Sequence, residues 1–123
     1  MHPAEASEQI LHASSVAVGE VGVLLIGASG CGKSSLSLQL MGLGAELVAD
    51  DRVLLKREGR NVLLSRPEAL PPLIEARGLG LLRAASIPTA RLCWVVDLDA
   101  VETDRLPRAR KIALLGREFP LLR

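Results

Sequence analysis

The sequence predicts an α/β domain with a mixed, strand-rich sheet and few helices, built around a phosphate-binding loop (P-loop). Three observations support this fold class. An apolar run from Val21 to Ile26 leads into a glycine-rich stretch, Gly27 to Ser34, which matches G-x-x-x-x-G-K-[ST]. A short segment of helical periodicity follows and is expected to end at Gly42 and Gly44, and a second strand from Glu46 to Ala49 then completes a βαβ unit. Short apolar runs between turn residues fill most of the remaining chain, which predicts further strands.

Composition limits the possible functions. The 123 residues carry 15 Lys and Arg against 14 Asp and Glu, and the only aromatic residues are Trp94 and Phe119. We therefore expect one domain over residues 1–123 and no nucleic acid among its partners, because both a basic surface and aromatic stacking platforms are missing. No apolar run reaches the length of a membrane span and no signal pattern precedes Gln9, so the sequence predicts no membrane association and a cytoplasmic location.

The glycine-rich stretch is the strongest functional signal. Glycines let successive backbone N–H groups turn inward, and the start of the following helix adds its positive dipole end to the same anion site. Lys33 is expected to approach the β- and γ-phosphates of a nucleotide, and the Ser34 hydroxyl to provide an oxygen ligand for Mg²⁺. The residues expected to bind the nucleotide are Gly27, Ala28, Ser29, Gly30, Cys31, Gly32, Lys33 and Ser34.

The regions on either side of the βαβ unit are less regular. Residues 1–10 are expected to form a frayed or helical lead-in, and residues 11–18 a first strand. Residues 53–55 and 62–64 predict a hairpin that turns at Glu58 and Gly59.

The second half of the chain adds three expectations. Residues 73–83 contain two glycines among apolar residues and predict a shaped loop or short helix. Residues 92–96 predict a strand ending at Asp97, and residues 111–115 and 119–122 are expected to pair around Gly116 and Arg117.

Two strand ends carry carboxylates that could serve a phosphoryl-transfer site. Asp50 and Asp51 follow the first strand after the loop helix, and a facing cation would compensate their like charges. A solvated turn before the hairpin is the alternative for this pair. Asp97 and Asp99 have the same placement but adjoin further acidic residues, which is more typical of a solvated loop, so they are second candidates.

Several segments together resemble the catalytic domain of the HPr kinase/phosphorylase family, over residues 12 to about 106. These segments are His12, the loop Gly27 to Ser34, Leu47-Val-Ala-Asp-Asp-Arg-Val53 and Ile74-Glu-Ala-Arg-Gly-Leu-Gly80. The Ala-Asp-Asp and Glu-Ala-Arg-Gly-Leu-Gly pieces are much more specific than the loop. The resemblance implies the phosphoenolpyruvate carboxykinase-like variant of the P-loop fold.

The resemblance also implies an activity. The family phosphorylates a serine of the phosphocarrier protein HPr with ATP or pyrophosphate and Mg²⁺, and reverses this step by phosphorolysis. The chain is similar to a shortened proteobacterial form without the N-terminal domain, which favours kinase over phosphorylase activity. The resemblance implies a homo-oligomer, which is a hexamer in the family, but the shortened form lacks the C-terminal segment that helps to build it. The alternatives are a small-molecule kinase and a non-catalytic nucleotide-binding regulatory module.

Site residues carried over from the family match positions of this sequence one by one. Asp50 or Asp51 is implied as the group that accepts the serine proton and returns it in the reverse reaction. The resemblance further implies Glu75 beside Ser34 at the metal. Three additional residues are implied near the reacting groups, with His12 beside the acidic pair and Arg77 and Arg105 facing phosphate charge.

Overall fold

The structure is a computed structural model of the chain and describes residues 7–28, 30, 32–67, 73–76, 80–83, 85–99 and 109–123. Within these ranges it contains eleven strands and one helix, α1. Their bounds are β1 Glu8–Leu11, β2 Ser14–Val18, β3 Val21–Ile26, α1 Lys33–Gly42, β4 Glu46–Ala49, β5 Val53–Glu58, β6 Asn61–Ser65, β7 Leu73–Ala76, β8 Gly80–Arg83, β9 Thr89–Asp97, β10 Arg110–Leu114 and β11 Arg117–Leu122.

In the described part of the chain, nine strands form one mixed sheet. Seven of them follow the order β1-β5-β6-β9-β3-β2-β4, and β11 joins the sheet parallel to β9 and carries β10 at its other side. β7 and β8 form a separate antiparallel pair. The strand-rich mixed sheet and the small helical content predicted from the sequence are confirmed.

Three strands bring their C-terminal ends to the same edge of this sheet. β3 and β9 are parallel, with Ile26 opposite Asp97. β2 is antiparallel to both β3 and β4, so β4 runs in the same direction as β3 with β2 between them. The loop after Ile26, the Asp97 end of β9 and the residues after Ala49 therefore share one edge.

The apolar core lies on both faces of the sheet. Neighbouring residues of a strand point to opposite faces, and Val16 and Ala17 accordingly belong to different buried clusters. The smaller cluster contains Val16 and Leu47 and is covered by α1, which contacts β2, β4 and β7. The larger cluster fills the opposite face and contains Leu24, Leu55, Leu64 and Val95 with other residues of β5, β6 and β9. Packing of the helix against β2 and β4 fixes the start of α1 at the edge where these strands approach the loop.

The end of α1 explains how the chain returns into the sheet. Gly44 has a φ of 112°, the left-handed conformation that suits glycine at a helix end. The N–H of Gly44 donates to the Met41 carbonyl and the N–H of Ala45 donates to the Leu40 carbonyl, both at 3.0 Å. This pair of bonds is a Schellman motif, which directs the chain into β4.

Several predicted elements are confirmed. α1 connects the parallel strands β3 and β4, as the βαβ prediction requires. The two predicted hairpins are β5–β6 and β10–β11, and their two-residue turns lie at Gly59-Arg60 and Leu115-Gly116, each one residue away from the predicted position. β9 contains the predicted strand and starts three residues earlier.

Three local predictions are wrong. Residues 8–10 belong to a strand, because β1 pairs with β5, and the single strand expected over residues 11–18 is interrupted at His12 and Ala13, between β1 and β2. Residues 73–76 and 80–83 pair as strands rather than forming a loop or short helix. In the first region pairing with the distant strand β5 decides the conformation, and local sequence patterns do not report such pairing. In the second region the two segments pair with each other.

Candidate functional site

The glycine-rich loop leads directly from β3 into the helix, and its three described glycines all have positive φ values. Gly27, Gly30 and Gly32 have φ values of 144°, 85° and 106°, which side chains with a Cβ rarely adopt. Gly32 is the N-cap of α1, and no acidic residue lies in the first helical turn. The helix start therefore presents its unpaired N–H groups and positive dipole end toward the loop. Ser29 and Cys31 lie outside the described residues.

Lys33 is held against the loop that precedes it. Its side chain is buried, with 7% exposure, and its Nζ donates hydrogen bonds to the carbonyls of Gly27 at 2.6 Å and Ala28 at 3.1 Å. These two bonds place a positive charge on the inner side of the loop. The arrangement suits the binding of an anion between the ammonium group and the helix start.

Ser34 and Asp50 meet at the edge between α1 and β4. The Ser34 Oγ lies 2.8 Å from Oδ1 and 3.1 Å from Oδ2 of Asp50. A hydroxyl has one proton and two lone pairs, so donation to the carboxylate leaves the lone pairs of Ser34 available for a cation. A hydroxyl and a carboxylate are oxygen ligands of the type that Mg²⁺ prefers.

A second hydroxyl, which the sequence analysis did not consider, binds the same carboxylate. Ser14 lies in β2 with 1% exposure, and its Oγ donates to Asp50 Oδ1 at 2.6 Å. The only signal in the sequence is a pair of serines in an otherwise apolar strand, and this pattern does not identify a partner.

Asp51 has a different environment from Asp50. Its φ of 72° lies in the left-handed region, which Asp tolerates better than most residues. Its Oδ1 lies 3.2 Å from Nδ1 of His12, and the two side chains are 68% and 52% exposed, respectively. Asp51 and His12 thus form an accessible acid–base pair beside the part-buried hydrogen bonds of Asp50.

The second candidate carboxylates lie at the entrance of the loop. The Ala28 N–H donates to Oδ2 of Asp99 at 2.8 Å, and the Asp99 N–H donates to Oδ1 of Asp97 at 2.9 Å. These bonds connect the end of β9 to the first residues of the loop. Asp99 is therefore placed to orient the loop backbone.

The remaining predicted residues are less completely described. The backbone of Glu75 lies in β7, which contacts α1. Arg77 and Arg105 lie outside the described residues. Within the described ranges, no cluster of three or more His, Cys, Asp or Glu side chains is placed to hold a metal, and no helix is long and apolar enough to cross a membrane.

Comparison with known proteins identifies the family. Residues 4–91 match the family model described as HPr Serine kinase C-terminal domain. The chain belongs to this family. The HPr kinase/phosphorylase of Bacillus pumilus is 45% identical over 91% of the chain, and that of Geobacillus thermodenitrificans is 38% identical over the same share. The chain spans 40% of the length of each of these relatives.

A solved structure of the same family has a similar fold. The Hpr(Ser) kinase/phosphatase from Coxiella burnetii superimposes with a TM-score of 0.78 at 27% identity, and the match covers 92% of this chain and 83% of that one. The strand-rich arrangement described above is therefore the fold of an HPr serine kinase C-terminal domain.

Proposed function

We propose that this domain is the catalytic domain of a Mg²⁺- and ATP-dependent kinase that phosphorylates a serine of an HPr-type phosphocarrier protein. Membership of the HPr serine kinase family supports this activity. The observation that carries the proposal is the placement of two carboxylates with different surroundings beside the first turn of α1. One carboxylate accepts hydrogen bonds from the hydroxyls of Ser14 and Ser34, and the other is accessible from solvent.

The glycine-rich loop would bind the nucleotide phosphates. The backbone N–H groups at the start of α1 and the Lys33 ammonium would compensate the phosphate charge. This strand–loop–helix unit within a mixed sheet supports the P-loop fold, and the family supports its phosphoenolpyruvate carboxykinase-like variant.

Ser34 and Asp50 would hold Mg²⁺. The ion, when bound, would neutralise charge on the transferred phosphoryl group and orient it. The Ser34 hydroxyl donates a hydrogen bond to Asp50 at 2.8 Å, which leaves its lone pairs available for the ion. Glu75 is proposed as a further ligand on the basis of the family resemblance alone.

Asp51 would accept the proton of the substrate serine. The sequence left Asp50 and Asp51 as equal candidates, but Asp50 already accepts two hydroxyl hydrogen bonds, whereas Asp51 is 68% exposed and can be reached by a protein side chain. His12 at 3.2 Å would orient Asp51. As the proton moves to Asp51, the serine oxygen would form a bond to the terminal phosphorus and the bond to ADP would break.

The same groups would serve the reverse direction. Microscopic reversibility requires the residue that accepts the serine proton to return it when phosphate attacks the phosphoserine and pyrophosphate is released. Arg77 and Arg105 are proposed to face phosphate charge during both reactions, again by family resemblance. A cytoplasmic location and a hexameric assembly are further proposals from the family, and neither enters the chemistry of the site.

The decisive experiment supplies the purified chain with Mg²⁺, labelled ATP and HPr-type carriers. We expect label on a carrier with its regulatory serine and none on the matched Ser→Ala carrier. Label on neither carrier, despite measurable nucleotide binding, would favour a non-catalytic nucleotide-binding module. Label on a small-molecule acceptor instead would favour the alternative kinase.

A further inference from the structure

We propose that Ser14 is a positioning residue that orients Asp50 for the Mg²⁺–nucleotide complex. This inference rests on the proposed function, because it assumes that Asp50 and Ser34 lie at the metal. It extends the site to β2, a strand that contributes neither to the glycine-rich loop nor to the acidic pair.

The hydrogen bond from Ser14 to Asp50 is short, and its donor is buried. Ser14 is 1% exposed, and its Oγ donates to Asp50 Oδ1 at 2.6 Å, at the short end of the range for a hydroxyl–carboxylate hydrogen bond. Ser34 Oγ approaches the same oxygen at 2.8 Å. Two hydroxyl donors from different elements therefore converge on one carboxylate oxygen and restrict rotation of the Asp50 side chain.

The backbone fixes this geometry from both sides. β2 pairs with β4, where Ser15 lies opposite Ala49. Beyond the end of β4 the Ala13 N–H donates to the Asp51 carbonyl at 3.1 Å. Ser14 and Asp50 thus lie between two backbone attachments, and small movements of either strand would be transmitted to the carboxylate.

The neighbouring serine shows what an ordinary buried hydroxyl does in this strand. Ser15 is fully buried and donates to the Val23 backbone carbonyl at 2.9 Å, a bond within the sheet. Ser14 instead donates to a charged side chain of the candidate site. A hydrogen bond to a charged group stabilises more strongly than one between neutral groups. Loss of the Ser14 hydroxyl should therefore loosen the orientation of the Asp50 carboxylate.

The two serines provide a matched pair for the experiment. The variants Ser14→Ala and Ser15→Ala each remove one buried hydroxyl from the same strand. Binding of a fluorescent ATP analogue is measured across a Mg²⁺ titration and in excess chelator, and unfolding temperature is measured for each protein. We expect Ser14→Ala to raise the half-saturating Mg²⁺ concentration by about tenfold, as one charge-assisted hydrogen bond predicts. Its metal-free nucleotide affinity should stay within about twofold.

The control defines which results overturn the proposal. Ser15→Ala should lower the unfolding temperature like Ser14→Ala but keep the wild-type Mg²⁺ dependence. Equal Mg²⁺ dependence of Ser14→Ala and wild type, or the same shift in both variants, contradicts a positioning role. If Ser14→Ala does not fold, Ser14→Cys replaces the hydroxyl by a thiol of similar shape that donates only a weak hydrogen bond. The half-saturating Mg²⁺ concentration of this variant is then compared with that of wild type. Because the readout is binding, it remains valid even if the chain fails to phosphorylate a carrier, which would count against the proposed function alone.

Discussion

Replacement of Asp51 by Asn should abolish most phosphoryl transfer without weakening nucleotide binding. Asn keeps the shape of the side chain and also tolerates the left-handed φ of 72° at this position. The His12 contact joins side chains that are 52% and 68% exposed, so its loss should change the free energy of unfolding by less than about 1 kcal/mol. Loss of the proton acceptor should lower the transfer rate roughly 10²- to 10⁴-fold.

Asp50→Asn is the matched comparison and should fail in a different way. Asp50 accepts hydrogen bonds from Ser14 at 2.6 Å and Ser34 at 2.8 Å, and an amide keeps only one acceptor oxygen and has no charge. We therefore expect Mg²⁺ to bind roughly 10- to 100-fold more weakly, which is measured as a higher half-saturating Mg²⁺ concentration. Transfer should fall as well, but excess Mg²⁺ should recover part of it.

The assay separates the two effects by measuring binding and single-turnover transfer on the same proteins. ATP-analogue binding is titrated with Mg²⁺, and transfer to an HPr-type carrier is followed at saturating nucleotide and metal. Asp51→Asn should bind the ATP analogue with the Mg²⁺ dependence of wild type and should fail to transfer the phosphoryl group at every Mg²⁺ concentration. Wild-type transfer by Asp51→Asn would refute its role as proton acceptor, and recovery of that variant by excess Mg²⁺ would place Asp51 at the metal instead.

Three further substitutions test how the fold supports the site. Gly22→Ala should destabilise the domain by about 1–3 kcal/mol in denaturant unfolding, because the added Cβ would lie 2.8 Å from the Arg91 carbonyl oxygen; wild-type stability would mean that the strands separate at little cost. At Gly44 an added Cβ meets no atom within 4 Å, so Gly44→Ala should lower the free energy of unfolding by about 1 kcal/mol through the φ of 112° alone. Gly44→Asn should lower it less. Asp99→Ala removes the acceptor of the Ala28 N–H and should weaken ATP binding a few-fold at unchanged Mg²⁺ dependence, whereas a changed Mg²⁺ dependence would contradict a role limited to the loop.

The sequence predicts the elements that local signals determine. The loop and α1 follow from glycines at positions of positive φ and from the apolar strand before them. The β5–β6 hairpin follows from Gly59, whose φ of 62° suits a two-residue turn. The sequence does not predict β1 because Glu8 and Gln9 are polar and an edge strand needs only one partner, here β5. The order of strands in the sheet depends on contacts between distant segments, which no local pattern encodes.

The candidate site divides in the same way. The loop residues and the acidic pair could be identified from spacing, and the family resemblance added His12 to them. The contact between Ser14 and Asp50 spans 36 positions in the sequence. It arises from the antiparallel pairing of β2 with β4, in which Ser15 lies opposite Ala49, so that Ser14 at the start of β2 comes close to Asp50, the residue after β4. Side-chain partners of this kind become visible only once the sheet order is known.

The backbone at Asp51 accounts for the different surroundings of two adjacent carboxylates. Along a regular strand, neighbouring side chains alternate between opposite faces, so one of the pair would be directed away from the loop. The strand β4 ends at Ala49, and the left-handed conformation at Asp51 turns the chain immediately after Asp50. The Ala13 N–H bond to the Asp51 carbonyl holds this turn, and His12 lies one residue before Ala13. The same segment of chain that fixes the turn therefore supplies the partner of Asp51, while Ser14, one residue later, supplies a partner of Asp50. A strained conformation of this kind persists only when its surroundings hold it in place, and here residues 12–14 provide the contacts that keep the hydroxyl-bound Asp50 and the exposed Asp51 apart.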